Sequence, residues 1–268
     1  LGPSFGRSPD GGRRGDRDRA FRRSGRCARG GCVKGRRCVW TRAEATPAGS
    51  DGWTVALDGR AIRTPAGAAF RAPTRAAAEA AAAEWAAQQD SVAPETMPVT
   101  RALNTALDRI APEIDAVRAD VAAYAETDLL CHRAPHPAEL RARQAAAWDP
   151  PLAWARATLG APLVCAEGVM SVRQPEESLA RLRAEVGARD AWALAAVAEL
   201  TSLSGSLILA LMVEADAVSW EEAWRASRID EDWQIAQWGE DAEAAALAAG
   251  KRADFEAAAR FARLLRED

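Results

Sequence analysis

The chain has 268 residues, of which 49% are apolar types, and a formal net charge of −3, enough to build a real core in one large domain or two small ones. Its best apolar run, LSGSLILALMV at 203–213, falls short of the roughly 18 residues that argue for a membrane-spanning helix, so a soluble protein is expected. Arginine outnumbers lysine 33 to 2, which reads as the mark of a GC-rich coding genome and not as chemistry, because lysine codons are AT-rich.

The near-neutral total hides two different materials. Residues 1–42 hold 13 Lys/Arg against 3 Asp/Glu, a net +10, which leaves 22 against 35, a net −13, for the remainder. The stretch 1–39 has glycine pairs and little apolar periodicity, so disorder is expected. It reads as a nucleic-acid-binding tail, as an Arg-rich targeting segment weakened by Asp10, Asp16 and Asp18, or as an artefact of a mis-started translation beginning at Leu1. Cys27, Cys32 and Cys38 lack the paired spacing and fourth ligand of a zinc site. Cys131 and Cys165 stand in apolar surroundings and are expected to be buried. Five cysteines without paired spacing suit a reducing compartment.

From Trp40 the chain reads as folded protein. Trp53, Val55 and Leu57 alternate onto one face, Asp58-Gly59 is a strong hairpin turn, and a second strand at 61–63 precedes a turn near Pro65–Gly67. Thr74 is placed to cap a helix through Trp85 that ends by Pro94. Two helices follow, broken near Pro112 and stopped near Pro135. A further helix reaches Trp148, with an interruption expected at Pro150-Pro151 and a turn or two beyond. LVCAEGVMSV at 163–172 reads as a strand or extended connection. Helices are expected at 175–187, about 190–215, from 219 to 227 or beyond, and as a C-terminal pair. The fold class is α+β: a small antiparallel β-containing module at 40–115, then a mostly helical domain at 116–268.

Catalytic chemistry finds little support. His132 and His136 flank Pro135 without a carboxylate pair. EGVMS and SLSGS miss the spacings of a serine elbow or phosphate loop, and LTSLSGSLILAL reads as a helix whose small residues allow close packing. The segment DEDWQIAQWGED at 230–241 is the strongest candidate. Its carboxylates suggest a glycosidase-like pair beside tryptophan platforms, chemistry that needs two carboxyls facing each other across a cleft. They equally suggest helix capping and surface charge, with Trp233 and Trp238 packed in the core.

Taken in order, LDGRAIRTP, EWAAQQ, MPVTRALNTALDR, YAETDLLCHRA, RQAAAWDPPLAWA, TSLSGSLILAL and DEDWQIAQWGEDAEA resemble the ATP12 family, the assembly chaperones of the F-type ATP synthase that escort its alpha subunit. The resemblance runs from about Trp40 nearly to the C-terminus. It departs from the family at CVW, where R-F-W is usual, and at Ser204, where threonine is usual. It implies a small β-containing module before a mostly helical one and a non-enzymatic role, binding the unassembled alpha subunit and covering its intersubunit surface until the hexamer forms. It implies no cofactor, no metal, no nucleic-acid partner and no membrane insertion, a monomer when free, and a place in the bacterial cytoplasm or the mitochondrial matrix. The family pattern fits Trp85, Tyr124, Thr127, Asp128, Leu129, Trp148, Asp149, Pro150, Asp230, Glu231, Gln234, Trp238, Gly239 and Glu240. Glu231, Gln234, Trp238, Glu240, Asp241, Asp128 and Asp149 are then expected to meet the partner, since a carboxylate has no place in a core without one of its own; for Asp128 and Asp149 a buried ion pair or cap is the equal alternative. Trp53, Trp85, Tyr124, Trp148 and Trp233 are expected to hold the fold. A carbohydrate-active enzyme and a nucleic-acid binder are the alternatives.

Overall fold

Asp58 and Gly59, both at positive φ (48° and 80°), turn the chain between two strands. The computed structural model describes residues 38–168 and 172–267; the arm expected to be disordered or artefactual lies outside them except for Cys38 and Val39. Strands β1 (Ala43–Pro47), β2 (Trp53–Leu57) and β3 (Arg60–Ala61) form an antiparallel sheet in that order. Ala43 pairs with Leu57 at one end and Pro47 with Trp53 at the other. The Asp58 carboxylate accepts from the Arg42 and Thr41 amides at 2.9 and 3.1 Å, and these bonds hold it below the usual carboxylate range. β1 escapes the sequence pattern because AEATP has no alternation of large apolar residues. The one-sided face expected for Trp53, Val55 and Leu57 is not found: Thr54, Val55 and Ala56 are all buried. The chain at Phe70 covers the second face, its carbonyl accepting from the Thr54 hydroxyl at 2.7 Å.

Helix α1 (Arg75–Ala86) lies on β1 and β2. Thr74 caps it by accepting from the Ala77 amide at 3.2 Å, and its buried face is all alanine, at 77, 78, 81 and 82, which lets the helix sit close to the sheet. Glu84 accepts from the Val99 and Thr100 amides, each at 2.8 Å, and so caps helix α2 (Pro98–Thr105). α2 runs into a π-helical turn at Ala106–Ile110, and Pro112 then ends it before α3 (Ile114–Ala123). Helices from both sides of the 115/116 boundary pack together, α2 against α6 (Ala191–Ser204) and against the last helix, α10 (Ala242–Leu264).

Helix α4 (Ala138–Thr158) runs straight through Pro150-Pro151; the expected interruption does not occur. An internal proline costs about 3 kcal/mol in lost hydrogen bonding and crowding. Here one stripe of Leu140, Gln144, Trp148, Pro151 and Ala155 is buried along the whole helix, and that packing carries the chain past the break. Trp148 is fully buried, and its indole N–H donates to the Ala226 carbonyl at 2.8 Å.

The two-residue strands β4 (His132–Arg133), before α4, and β5 (Ala166–Glu167), after it, pair in parallel, which places a strand inside the stretch expected to be extended. α5 (Glu176–Gly187) follows. The helix expected over about 190–215 is two helices, α6 and α7 (Leu207–Glu214), because Gly205 takes a left-handed φ of 73°. All seven residues from Leu207 to Val213 are buried, so α7 is a helix apolar on every side.

Its amino end is held by Asp128. That carboxylate is completely buried and accepts from the Leu130 amide at 3.0 Å and the Ile208 amide at 3.2 Å, with Ser206 donating as well. Burial pushes its carboxyl up to about 6, against the pull of these donors. We expect Asp128→Asn to lower stability by about 1–3 kcal/mol, because the amide nitrogen would meet backbone N–H groups in place of an acceptor; denaturant unfolding measures this. The raised pKa fixes the sign of the pH dependence. The folded state holds a proton that the unfolded chain releases above 3.8, so this contribution is complete below that value and is lost as pH rises through about 6. The stability difference between the native protein and the Asn variant should therefore move in the native protein's favour as pH is lowered from 7 towards 4.

Candidate functional site

Helix α8 (Trp220–Ser227) begins with a capping box in which Ser219 and Glu222 satisfy each other's amides, and it buries Ala223, Trp224 and Ala226. Arg228 then joins it to α9 (Ile229–Trp238). α9 has three carboxylates in its first turn and no buried residue. Each carboxylate has an assignment. Asp230 accepts from the Gln144 amide of α4 at 2.6 Å, while Glu231 and Asp232 lie 3.4 and 4.0 Å from the Arg228 guanidinium. Negative charge there also meets the positive end of the helix dipole.

Gly239, at φ 88°, ends α9. Asp241 caps α10 by accepting from the Ala244 amide at 2.8 Å. The 23 residues of α10 divide into halves of different character: its buried side chains start at Phe255, and everything from Ala242 to Asp254 is exposed or half-buried. α9 and the first half of α10 therefore form a hairpin on the outside of the fold, with α9 against α4.

The hairpin carries apolar surface in the open. Trp238 is 79% exposed and Leu247 64%, with Ile235 also exposed. A groove of about 370 Å³ runs between the two helices, lined by Glu231, Gln234, Ile235, Trp238, Asp241, Leu247 and Lys251 among others. A second, of about 500 Å³, lies on the other side and includes Trp224, Arg228, Glu240, Asp241 and Arg252. An exposed apolar strip rimmed by charge is the surface chemistry of protein–protein contact.

The expected partner residues separate into three groups. Glu231, Gln234, Trp238, Glu240 and Asp241 come together on the hairpin and line its two grooves. Asp149 lies elsewhere, on α4, in an ion pair with Arg133 at 2.8 Å. Asp128 has no surface to offer a partner and is instead a buried cap, the alternative expected for it: it accepts from the Leu130 and Ile208 amides and from Ser206.

Of the residues expected to hold the fold, Trp148 is fully buried and Trp53, Trp85, Tyr124 and Trp233 are half-buried. Trp85 meets Trp40 edge to face at 5.4 Å, and Trp233 lies beneath the Arg143 guanidinium at 4.9 Å. Cys165, expected to be buried, is exposed. Sequence reasoning missed Leu247, whose signal was a single leucine in the polar and alanine-rich run AEAAALAAGK, one turn-pair before Phe255.

Asp230, Glu231, Asp232 and Asp241 are engaged in an amide contact, ion pairs and a cap, an arrangement unlike two carboxyls facing each other across a cleft. No group of His, Cys, Asp or Glu among the described residues is arranged to hold a metal, and none of the described helices is long and apolar enough to cross a membrane.

Residues 37–156 match the family model described as ATP12 chaperone protein. The crystal structure of ATP12 from Paracoccus denitrificans is similar to this chain with a TM-score of 0.83 at 42% identity, covering 86% of this chain and 98% of that one. A point mutant of the Paracoccus denitrificans protein matches with the same values. A candidate chaperone from Agrobacterium tumefaciens matches with a TM-score of 0.81 at 41% identity over 85% of each chain. With that identity spread over nearly the full length of the Paracoccus protein, the chain belongs to the ATP12 chaperone family.

Proposed function

We propose that this protein captures the unassembled alpha subunit of the F-type ATP synthase and shields its intersubunit surface until the catalytic hexamer assembles, docking through the hairpin of α9 and α10. The observation that carries the reading is the exposure of Trp238 and Leu247 beside Glu231, Asp241 and Lys251 on an otherwise alanine-rich outer element. An orphan subunit of an obligate complex presents a large apolar interface, and a chaperone that covers it needs an apolar face of its own that stays in solution. The charged rim supplies that solubility. Glu231, Glu240 and Asp241 give the rim acidic points beside the apolar strip, which raise the encounter rate with a basic client surface more than they raise affinity. Gln234 adds a neutral polar contact within the groove.

The test is capture of purified alpha subunit and suppression of its aggregation by an equimolar amount of the protein. A folded sample with no effect in either assay removes the proposal. Trp238→Ala combined with Leu247→Ala should change unfolding free energy by less than about 0.5 kcal/mol, as surface changes do. It should weaken capture about thirtyfold or more, the loss of a tryptophan anchor worth roughly 2 kcal/mol.

Glu240→Lys is expected to leave folding nearly unchanged and to slow association, with the defect shrinking as salt is raised, since an exposed charge is screened within a Debye length. Unfolding of the variant, or an association rate equal to that of the native protein at low salt, would remove Glu240 from the docking face.

A further inference from the structure

The short parallel ladder brings two cysteines together. His132 pairs with Ala166 and Arg133 with Glu167, so the residues that lead into the two strands, Cys131 at the end of the 3-10 turn Leu129–Cys131 and Cys165 before β5, enter the ladder side by side. Neighbouring strands run about 4.8 Å apart, within the span of roughly 4.4–6.8 Å between Cα atoms that a disulfide bridges. Cys165 lies close enough to Cys131 to act electrostatically on its thiol. The Arg133 guanidinium donates to the Cys165 sulfur at 3.7 Å. The Cys165 thiol also lies 4.0 Å from the carbonyl of Leu130, the residue before Cys131.

The two thiols are unequal. Cys165 is exposed, and Cys131 is 2% exposed. Burial pushes the Cys131 thiol well above the ordinary range, with Asp128 adding to the rise. Arg133 is itself 8% exposed, pairs with Asp149 through the same amino group that meets Cys165, and its Nε–H has no acceptor among the described residues, so a guanidinium with an unspent donor is held beside the accessible sulfur. Reactive cysteines occupy electropositive, partly exposed surroundings of this kind.

We propose that Cys165 is an oxidation site and that Cys131 closes on it to form a reversible intrachain disulfide. With hydrogen peroxide as oxidant, the Cys165 thiolate attacks one peroxide oxygen and the O–O bond breaks. This leaves a sulfenic acid and hydroxide, which takes up the thiol proton as water. The Cys131 sulfur then displaces hydroxide from the sulfenic sulfur, the S–S bond forms, and the Cys131 proton leaves with that hydroxide as a second water. Two thiols are oxidised and one peroxide is reduced. A thiol reductant reverses the bond by exchange. The crosslink ties the turn that carries Asp128 to the 163–167 segment, so it tightens the anchorage of α7.

The experiment treats the reduced full-length protein with equimolar hydrogen peroxide, blocks the remaining thiols and maps peptides without reduction. The expected product is a linked pair containing Cys131 and Cys165, lost on adding dithiothreitol, with a higher unfolding temperature than the reduced protein. In Cys165→Ser, an exposed change, the pair should vanish and Cys131 should be alkylated in full once the chain is unfolded. In Cys131→Ser, a sulfenic acid should persist at Cys165 and be trapped by dimedone. Three results overturn the proposal: both thiols unchanged after treatment, Cys165 carried to sulfinic acid with Cys131 still free, or Cys165 linked to Cys38 or to a second chain.

Discussion

A buried carboxylate sets the terms for the helical part of this fold. Removing Asp128 from water is costly unless every oxygen is met by a donor, and the chain supplies those donors from the turn at 129–131 and from the first residues of α7. The helix break at Ser204-Gly205-Ser206 is the counterpart of that arrangement. It frees amides at the start of α7 to point at Asp128, and the Gly205 carbonyl accepts from the Leu129 amide at 3.1 Å. With its amino end fixed, α7 can be apolar on every side and serve as the rod around which α4, α6, α8 and α10 pack. Trp148 closes the same core from α4 by bonding to the end of α8.

The sequence was informative where a local rule decides the structure. Asp58-Gly59 turned as its type predicts, Thr74 capped α1, and the small antiparallel module followed by helices matches the observed order. It was silent where packing decides. Pro150-Pro151 reads as a break, but the buried stripe on α4 spans it. TSLSGS reads as one helix with small residues, but a partner 80 residues upstream makes it a joint. β1 exists because β2 offers it a register, not because AEATP favours extension. For the candidate site, the acidic crowding at 230–241 was visible, but the roles of its members were not. The partners of Asp230 and Asp128 lie far away in sequence, and only distance in space separates a buried acceptor from an exposed one.

The protein joins two kinds of surface chemistry. Its core half is stitched by long-range contacts, such as the Thr74 hydroxyl on the Leu264 carbonyl at 2.7 Å and Thr64 on Asp108 at 2.6 Å. Its hairpin half is held mainly at the base, by Gln144 on Asp230 and by Arg228. α10 belongs to both halves. Its terminal turns are buried in the core, and its first turns carry Leu247 into solvent.

The absence of buried residues along α9 has a consequence for how the hairpin behaves. A ten-residue helix has little stability of its own in water, and this one draws support from α4, through Gln144 on Asp230 and Arg143 over Trp233, and from Arg228. Its tip therefore sits at the low end of the molecule's range of local opening free energies, while its root shares the stability of the core. A surface of that kind is ordered by whatever it touches. A partner docking there would have the ordering entropy of that tip set against its affinity, which favours its later release.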